Sequence, residues 1–503
     1  MGPSLSHFVG EGLSTSKLHT KAAWPLSRAT GYGIHGSDSM LRADVIQDLW
    51  CGLPGVWGMS FGDIRVDQRA EWLIERVAAT GSLVLRRLGE TRAGEMAVHR
   101  FLSSPYVSVD RIVETLAGRT AAACVERRVL VVQDTTEINF SGRDAKRRGF
   151  GPAGDGETTG FFIHPAIAVD VESEAVVGLV DAAIWTRAQG QPRRRRSRVL
   201  EAKESARWLA ACQSAAQSLS GASALTMVAD REGDIYPLFA RKPAGLQLIV
   251  RAAQNRNLAG GGQLFEVLAE AACLGTIRVP VAPRGPGDKG RIAVVELRAD
   301  RVEIARPVNG LVEDLPTTIE LGFVEAREVG APAGASPLHW RLLTTYALGT
   351  AAQAEEIVRL YRLRWRIEQT FRALKSDGLA LEDSQVIDRE RMFNLAAVGL
   401  AAAIRTIQLV DARDGSPRPA SDVIDELFAV PLQRLSRKLE GKTERQKNPH
   451  APGSLAFVAW IAARLGGWNC YYKPPGPKTM RIGWNQLAAR LEGYALATQT
   501  HDP

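Results

Sequence analysis

Four polar residues recur along one apolar-backed segment late in the chain: Tyr361, Arg364, Glu368 and Lys375. On a helix of 3.6 residues per turn they fall within about 60° of one another, while Leu363, Ile367 and Leu374 form an apolar stripe on the opposite side. A helix anchored in this way offers water a carboxylate flanked by cations and a phenol. That set suits phosphate chemistry, because Glu368 can hold a hard divalent cation through oxygen while Arg364 and Lys375 meet phosphates on either side. A surface helix with mixed charges accounts for the same stripe. Two further acids end apolar runs: Asp134 follows residues 129–133 and Asp230 follows residues 225–229. α/β sheets place ligand-binding groups at such positions, and carboxylates buried there are costly unless matched by cations or metal. The plainer role of either acid is a helix N-cap or a turn residue.

The elements that must position these groups are readable from pattern. Residues 129–133 form a short β-branched run, and 162–171 and 175–185 read as longer strands. A helix over 201–219, a strand over 225–229, a short helix after Asp234 and a strand over 246–251 follow. Three early strands and then βαβ alternation give the order of a ribonuclease-H-like core. The expected fold is therefore α/β, with a ribonuclease-H-like catalytic core over 121–390. A β-strand insertion at about 255–338 carries strands over 276–281, 292–297 and 318–323, and one long helix over 351–374 bears the polar stripe. Upstream, Ala70, Leu73, Ile74, Val77 and Ala78 share a helical face and a second run covers 107–116, which gives a helical domain over 44–120. Downstream, 391–503 is mostly helical, including 460–465 and 484–491. Residues 1–43, rich in Ser, Gly and His without periodicity, read as a flexible extension.

A chain of 503 residues exceeds one ordinary core, so two to four domains are expected. The excess of 63 basic over 55 acidic residues leaves +8, which favours a polyanionic partner without requiring one. Cys51, Cys124, Cys212, Cys273 and Cys470 are isolated, which argues against a disulfide framework or a zinc site. No stretch approaches the roughly 18 uninterrupted apolar residues of a membrane span, and no signal-peptide core is present. The expectation is a cytoplasmic protein with no membrane partner.

Gln133-Asp134-Thr135-Thr136, then Asp230-Arg231-Glu232-Gly233-Asp234, then Tyr361-x2-Arg364-x3-Glu368-x6-Lys375 resemble the three active-site motifs of bacterial DDE transposases of the IS-four type. They occur in the family's order, with a strand-rich insertion between the second and third, and the resemblance runs from about Phe61 to Tyr494. It implies that Asp134, Asp230 and Glu368 are catalytic carboxylates binding two Mg2+ ions, with Mn2+ as an alternative. It also implies cut-and-paste transposition through a DNA hairpin, in which Trp340, within Leu338-His339-Trp340, stacks on a flipped base. Arg251, Tyr361 and Arg364 would hold the adjacent phosphates, with Lys375 beside them. Arg372 stands where the family often has Lys, so its phosphate contact would have a different geometry.

By the same resemblance, 61–112 is a DNA-binding segment and 483–494 ends a dimerisation region; Arg65 and Arg69, one helical turn apart, are candidate contacts to the terminal inverted repeat, and a solvated helix face explains them equally well. The apolar Trp484, Leu487, Leu491 and Tyr494 of that region could equally bury against their own domain. The implied partners are double-stranded DNA, as transposon ends and target, and a second copy of the chain; when bound to DNA the protein would be nucleoid-associated. Arg193, Arg194, Arg195 and Arg196, with Arg198, form the densest positive run and have no family counterpart. That run reads either as a phosphate-gripping loop or as a solvated one. Two other functions share the carboxylates. A ribonuclease-H-like nuclease that cuts and never joins has less reason to carry Trp340 and the Tyr361–Arg364 pair. A non-catalytic DNA-binding derivative would be free to lose the acids.

Overall fold

Every residue from Val129 to Val132 is apolar, so a strand there can be buried on both faces. The computed structural model describes residues 61–499 apart from 141–146, 154–157, 188–203, 270, 282–289, 309–313, 376–378, 417, 425 and 472. The extension over 1–43, the start of the helical domain and the Arg193–Arg198 run lie outside these residues. Among the described residues eleven strands form one sheet. They are β1 (Arg128–Gln133), β2 (Thr136–Asn139), β3 (Gly151–Ala153), β4 (Thr158–Asp170), β5 (Val176–Trp185), β6 (Ala224–Ala229), β7 (Leu246–Arg251), β8 (Gly275–Val281), β9 (Arg291–Ala305), β10 (Thr318–Val329) and β11 (His339–Thr344).

β4 pairs antiparallel with both β5 and β1, whereas β1, β6 and β7 run parallel. The resulting order β5-β4-β1-β6-β7 is that of a ribonuclease-H-like core. β2 and β3, four and three residues long, are additions against β4. The insertion extends this same sheet: β8, β9 and β10 make an antiparallel meander, joined to the core through β11, which pairs with β7 at Leu342 and Arg251. β9 and β10 continue well past the expected 292–297 and 318–323. Charged residues, Arg301 and Glu303 on one face of β9 and Arg327 on the other face of the sheet in β10, interrupt the apolar pattern while the ladder goes on.

The helices are α1 (Ile64–Thr80), α2 (Leu85–Gly89), α3 (Arg92–Leu102), α4 (Val109–Ala123), α5 (Ala206–Ser218), α6 (Tyr236–Ala240), α7 (Ala351–Arg362), α8 (Trp365–Lys375), α9 (Arg389–Ala412), α10 (Ala429–Leu439), α11 (Leu455–Leu465) and α12 (Pro477–Gln499). Alternation splits the core in two, because Leu130 and Val132 of β1 point into one apolar cluster and Val129 and Val131 into the other. α5 and α6 cover the second face; the helices preceding β1 and those from α7 onward share the first. α12 lies against α1, with Arg481 donating to the Thr80 carbonyl at 3.1 Å. α9 is apolar and long enough to cross a bilayer by length and composition, but it is buried among these helices.

The single helix expected over 351–374 is two. Around Leu363 and Arg364 the backbone bonds shorten to an i→i−3 pattern, Arg364 N–H to Tyr361 and Ile367 N–H to Arg364. This tightened turn changes the angle between Tyr361 and Glu368, so the four-residue polar stripe does not survive intact.

Candidate active site

β1 and β6 are parallel neighbours in register, with Val132 opposite Val228. Two residues further along each chain stand Asp134 and Asp230, so strand direction alone delivers both carboxylates to the same end of the sheet. Glu368 arrives on the first turn of α8, whose Ile367, Thr370 and Leu374 are fully buried. Arg366 fixes that turn by donating to Asp411 at 2.6 Å and to the Glu174 carbonyl at 3.1 Å.

Arg364, in the turn between α7 and α8, lies among all three acids. Its Nη1 donates to Asp134 Oδ2 at 3.1 Å, and its Nη2 donates to Glu368 Oε1 and lies 4.0 Å from Asp230 Oδ2. Burial works against the guanidinium charge, but Tyr361 and the three carboxylates outweigh it and hold its pKa above the ordinary value. Asp230 also accepts the Tyr361 hydroxyl hydrogen bond at 3.2 Å and has Arg251 Nη1 at 3.8 Å. Burial pushes the Asp134 carboxyl up to about 7, with Arg364 and the Thr135 N–H pulling the other way. Two guanidinium groups thus face three acids, an imbalance that a more highly charged cation would relieve.

Among the described residues no three acidic, histidine or cysteine side chains converge on one point; these carboxylates converge on Arg364. Their chemistry fits a hard divalent ion, since every donor is an anionic oxygen and no sulfur or imidazole is among them.

Trp340, half-buried on β11, meets Tyr361 edge to face with ring centroids 5.5 Å apart. Arg251 ends β7 and donates to the His339 carbonyl at 3.3 Å, tying the strands together beside that indole. Asp134, Asp230, Glu368, Arg364, Tyr361, Arg251 and Trp340 are therefore neighbours. Lys375 and Arg372 stand apart from them. Lys375 Nζ donates to the Glu137 carbonyl at 2.7 Å and pairs with Glu382 at 3.1 Å, and the Arg372 guanidinium lies 5.8 Å from the Trp365 ring. On α1, which Asp63 caps, Arg65 is exposed, whereas Arg69 is half-buried over Trp72 at 5.1 Å. Trp484, Leu487 and Leu491 bury within their own chain, and Tyr494 packs partly against the same cluster.

A supporting chain of hydrogen bonds escaped the sequence reading. Gln133 Nε2 donates to the Trp208 carbonyl, which leaves its Oε1 to accept from His164 Nε2 at 3.0 Å. His164 Nδ1 then accepts the Thr135 hydroxyl proton at 2.9 Å, and Arg207 Nε donates to that same oxygen at 3.3 Å. Thr135 N–H in turn holds Asp134 Oδ1 at 2.8 Å. Burial, with Arg207 nearby, keeps the His164 pKa well below the ordinary value, so the ring is neutral. The one signal in the sequence was a lone histidine inside the otherwise apolar run of β4.

A mixed sheet of this order, with acids beyond two adjacent parallel strands and a third acid on a helix after a β insertion, defines the ribonuclease-H-like class of DNA-cutting and DNA-joining enzymes. Within that class, the family model described as transposase DDE domain matches residues 131–404, more than half of the 503-residue chain. The chain belongs to the transposase DDE domain family: it is a DNA transposase, and DNA is its partner. Domains of this family use divalent metals. The matched segment includes every expected site residue except Arg65 and Arg69.

Proposed function

We propose that the chain is a cut-and-paste transposase of the IS-four type, to which the Tn-five transposase also belongs, and that Asp134, Asp230 and Glu368 hold its two magnesium ions. The observation that carries this reading is the gathering of three acids from separate segments around one guanidinium. Bound there, the ions would activate water or a 3′-hydroxyl and stabilise the leaving oxygen of an in-line displacement. Arg364 fills the gap between the acids through contacts that a metal would replace, and it then becomes available to a DNA phosphate. Arg251 flanks the same acids and would hold a second phosphate. Tyr361 spends its hydroxyl on Asp230 and orients that carboxylate, while its ring supports Trp340.

The half-buried Trp340 beside the acids favours a hairpin route, in which a flipped base stacks on the indole. Purified protein, its own element's ends and magnesium would be incubated and the products resolved as nicks, hairpins and joined strands. All three products are expected from the parent. Trp340→Ala should keep the first nick and slow hairpin formation by about one to two orders of magnitude, the value of roughly 1–3 kcal/mol of base stacking. Nicks without hairpins or joining from the parent chain would favour a nuclease. We propose further that a dimer pairs two ends. Because Trp484, Leu487 and Leu491 are committed to the chain's own core, surface residues of the C-terminal helices would have to supply the contact. Light scattering of the protein with end DNA tests this.

A further inference from the structure

The C-terminal helices carry positive charge that the strand-end site does not use. Within 434–447, six cations (Arg434, Arg437, Lys438, Lys442, Arg445 and Lys447) stand against two acids, Glu440 and Glu444. α10 buries Leu432 and Ser436 and packs Leu435 and Leu439 against the core, which leaves Arg434, Arg437 and Lys438 on its outer face at i, i+3 and i+4 spacing. These three are exposed, as are Lys442, Arg445 and Lys447 in the segment that follows. Among the described residues only Lys447 of the six is paired with an acid, Glu440 at 3.6 Å.

The segment is held in place. Thr443 and the Tyr471 hydroxyl share a hydrogen bond at 2.7 Å, and Asn448 donates to Ser436 Oγ at 3.1 Å and to the Phe457 carbonyl at 3.3 Å. The first of these bonds brings the exposed Tyr471 phenol beside the cations, with exposed Lys473 two residues on. Like charges one helical turn apart repel, so a fixed cluster of this kind costs stability until an outside anion meets it.

We propose that the α10 face and the 442–447 segment form a second contact surface for duplex DNA, gripping the phosphate backbone without reading sequence. The family acts on DNA, which supplies the polyanion. Lysine is depleted at protein–protein interfaces, yet Lys438, Lys442, Lys447 and Lys473 make up four of the seven cations here.

The test uses the full chain and a duplex lacking any transposon-end sequence, with binding followed by fluorescence anisotropy between about 50 and 200 mM salt. Arg434→Gln/Arg437→Gln/Lys438→Gln should weaken binding at least about tenfold at the low end of that range and flatten the slope of log K against log salt by about 2 to 3. Lys442→Gln/Arg445→Gln should flatten it by about 2 and carries the test if the triple variant melts early. Unchanged affinity and slope in both variants would overturn the proposal. So would variants that lose self-association in light scattering while keeping the parent's salt dependence, because the face would then belong to a second copy of the chain.

Discussion

Arg364 and Arg405 are both arginines enclosed by acids, and they differ in what holds them. Among the described residues the Arg364 guanidinium donates only to carboxylates, Asp134 and Glu368, with Asp230 close by, and those acids keep between a fifth and a third of their side chains exposed. Arg405 of α9 is 2% exposed, donates to the Val423 carbonyl at 2.6 Å and faces Glu75 at 4.0 Å. Its neighbour Arg418 donates to the Val176 carbonyl and to Asp422 at 2.7 Å, and both line a cavity of about 340 Å³ with Arg119 and Gln408. Burial pushes the Arg405 pKa down to about 10. A guanidinium bonded to backbone carbonyls can leave only by breaking the fold. One bonded to partly exposed acids can be exchanged for another cation. The difference separates a structural ion cluster from one that a ligand can enter.

The largest expected effect is on chemistry. Asp230→Ala or Glu368→Ala should lower cleavage of transposon ends by about three orders of magnitude or more while leaving end binding within a few-fold, read by gel shift and product analysis. Near-parental cleavage from either variant would remove the exchangeable cluster from the reaction.

Next in size, Arg405→Leu should cost about 3–5 kcal/mol in urea unfolding, since a buried charge network loses one partner. A cost below about 1 kcal/mol would mean that the enclosed cluster is no more structural than the open one.

His164→Gln sharpens the comparison from a neutral buried group. The folded ring binds its proton only well below the ordinary pKa of 6.5, whereas the unfolded chain binds it near 6.5. The group's contribution is therefore constant above pH 6.5 and is lost as pH falls below it, at about 1.4 kcal/mol per pH unit. Between pH 6.5 and 5.5 unfolding should show the parent losing about 1 kcal/mol more than the variant.

The smallest effect on stability belongs to Arg364→Gln, below about 2 kcal/mol, because the acids it leaves are partly exposed and can be solvated, or in the case of Asp134 protonated. The same change should tighten Mn2+ binding about tenfold in calorimetry without DNA, a gain of about 1.4 kcal/mol, since the guanidinium no longer competes for the oxygens. Unchanged Mn2+ affinity would show that Arg364 and the metal do not share a place.

By itself the sequence determined the strands that lead into Asp134 and Asp230, the apolar stripe Leu363, Ile367 and Leu374 beneath Glu368 and the order of the core, because period-2 burial and residue spacing are local properties of the chain. The N-terminal and C-terminal helices were legible for the same reason. Tertiary structure alone decided the break at Leu363–Arg364, which depends on how α8 docks through Arg366 and Asp411. It alone placed Arg364 between acids lying 230 residues upstream and four residues downstream. It also turned Lys375 to the Glu137 carbonyl and closed Trp484 and Leu487 into their own core. Amphipathic spacing states that a face will be covered and not by what; the partner emerges only when strands distant in sequence lie side by side.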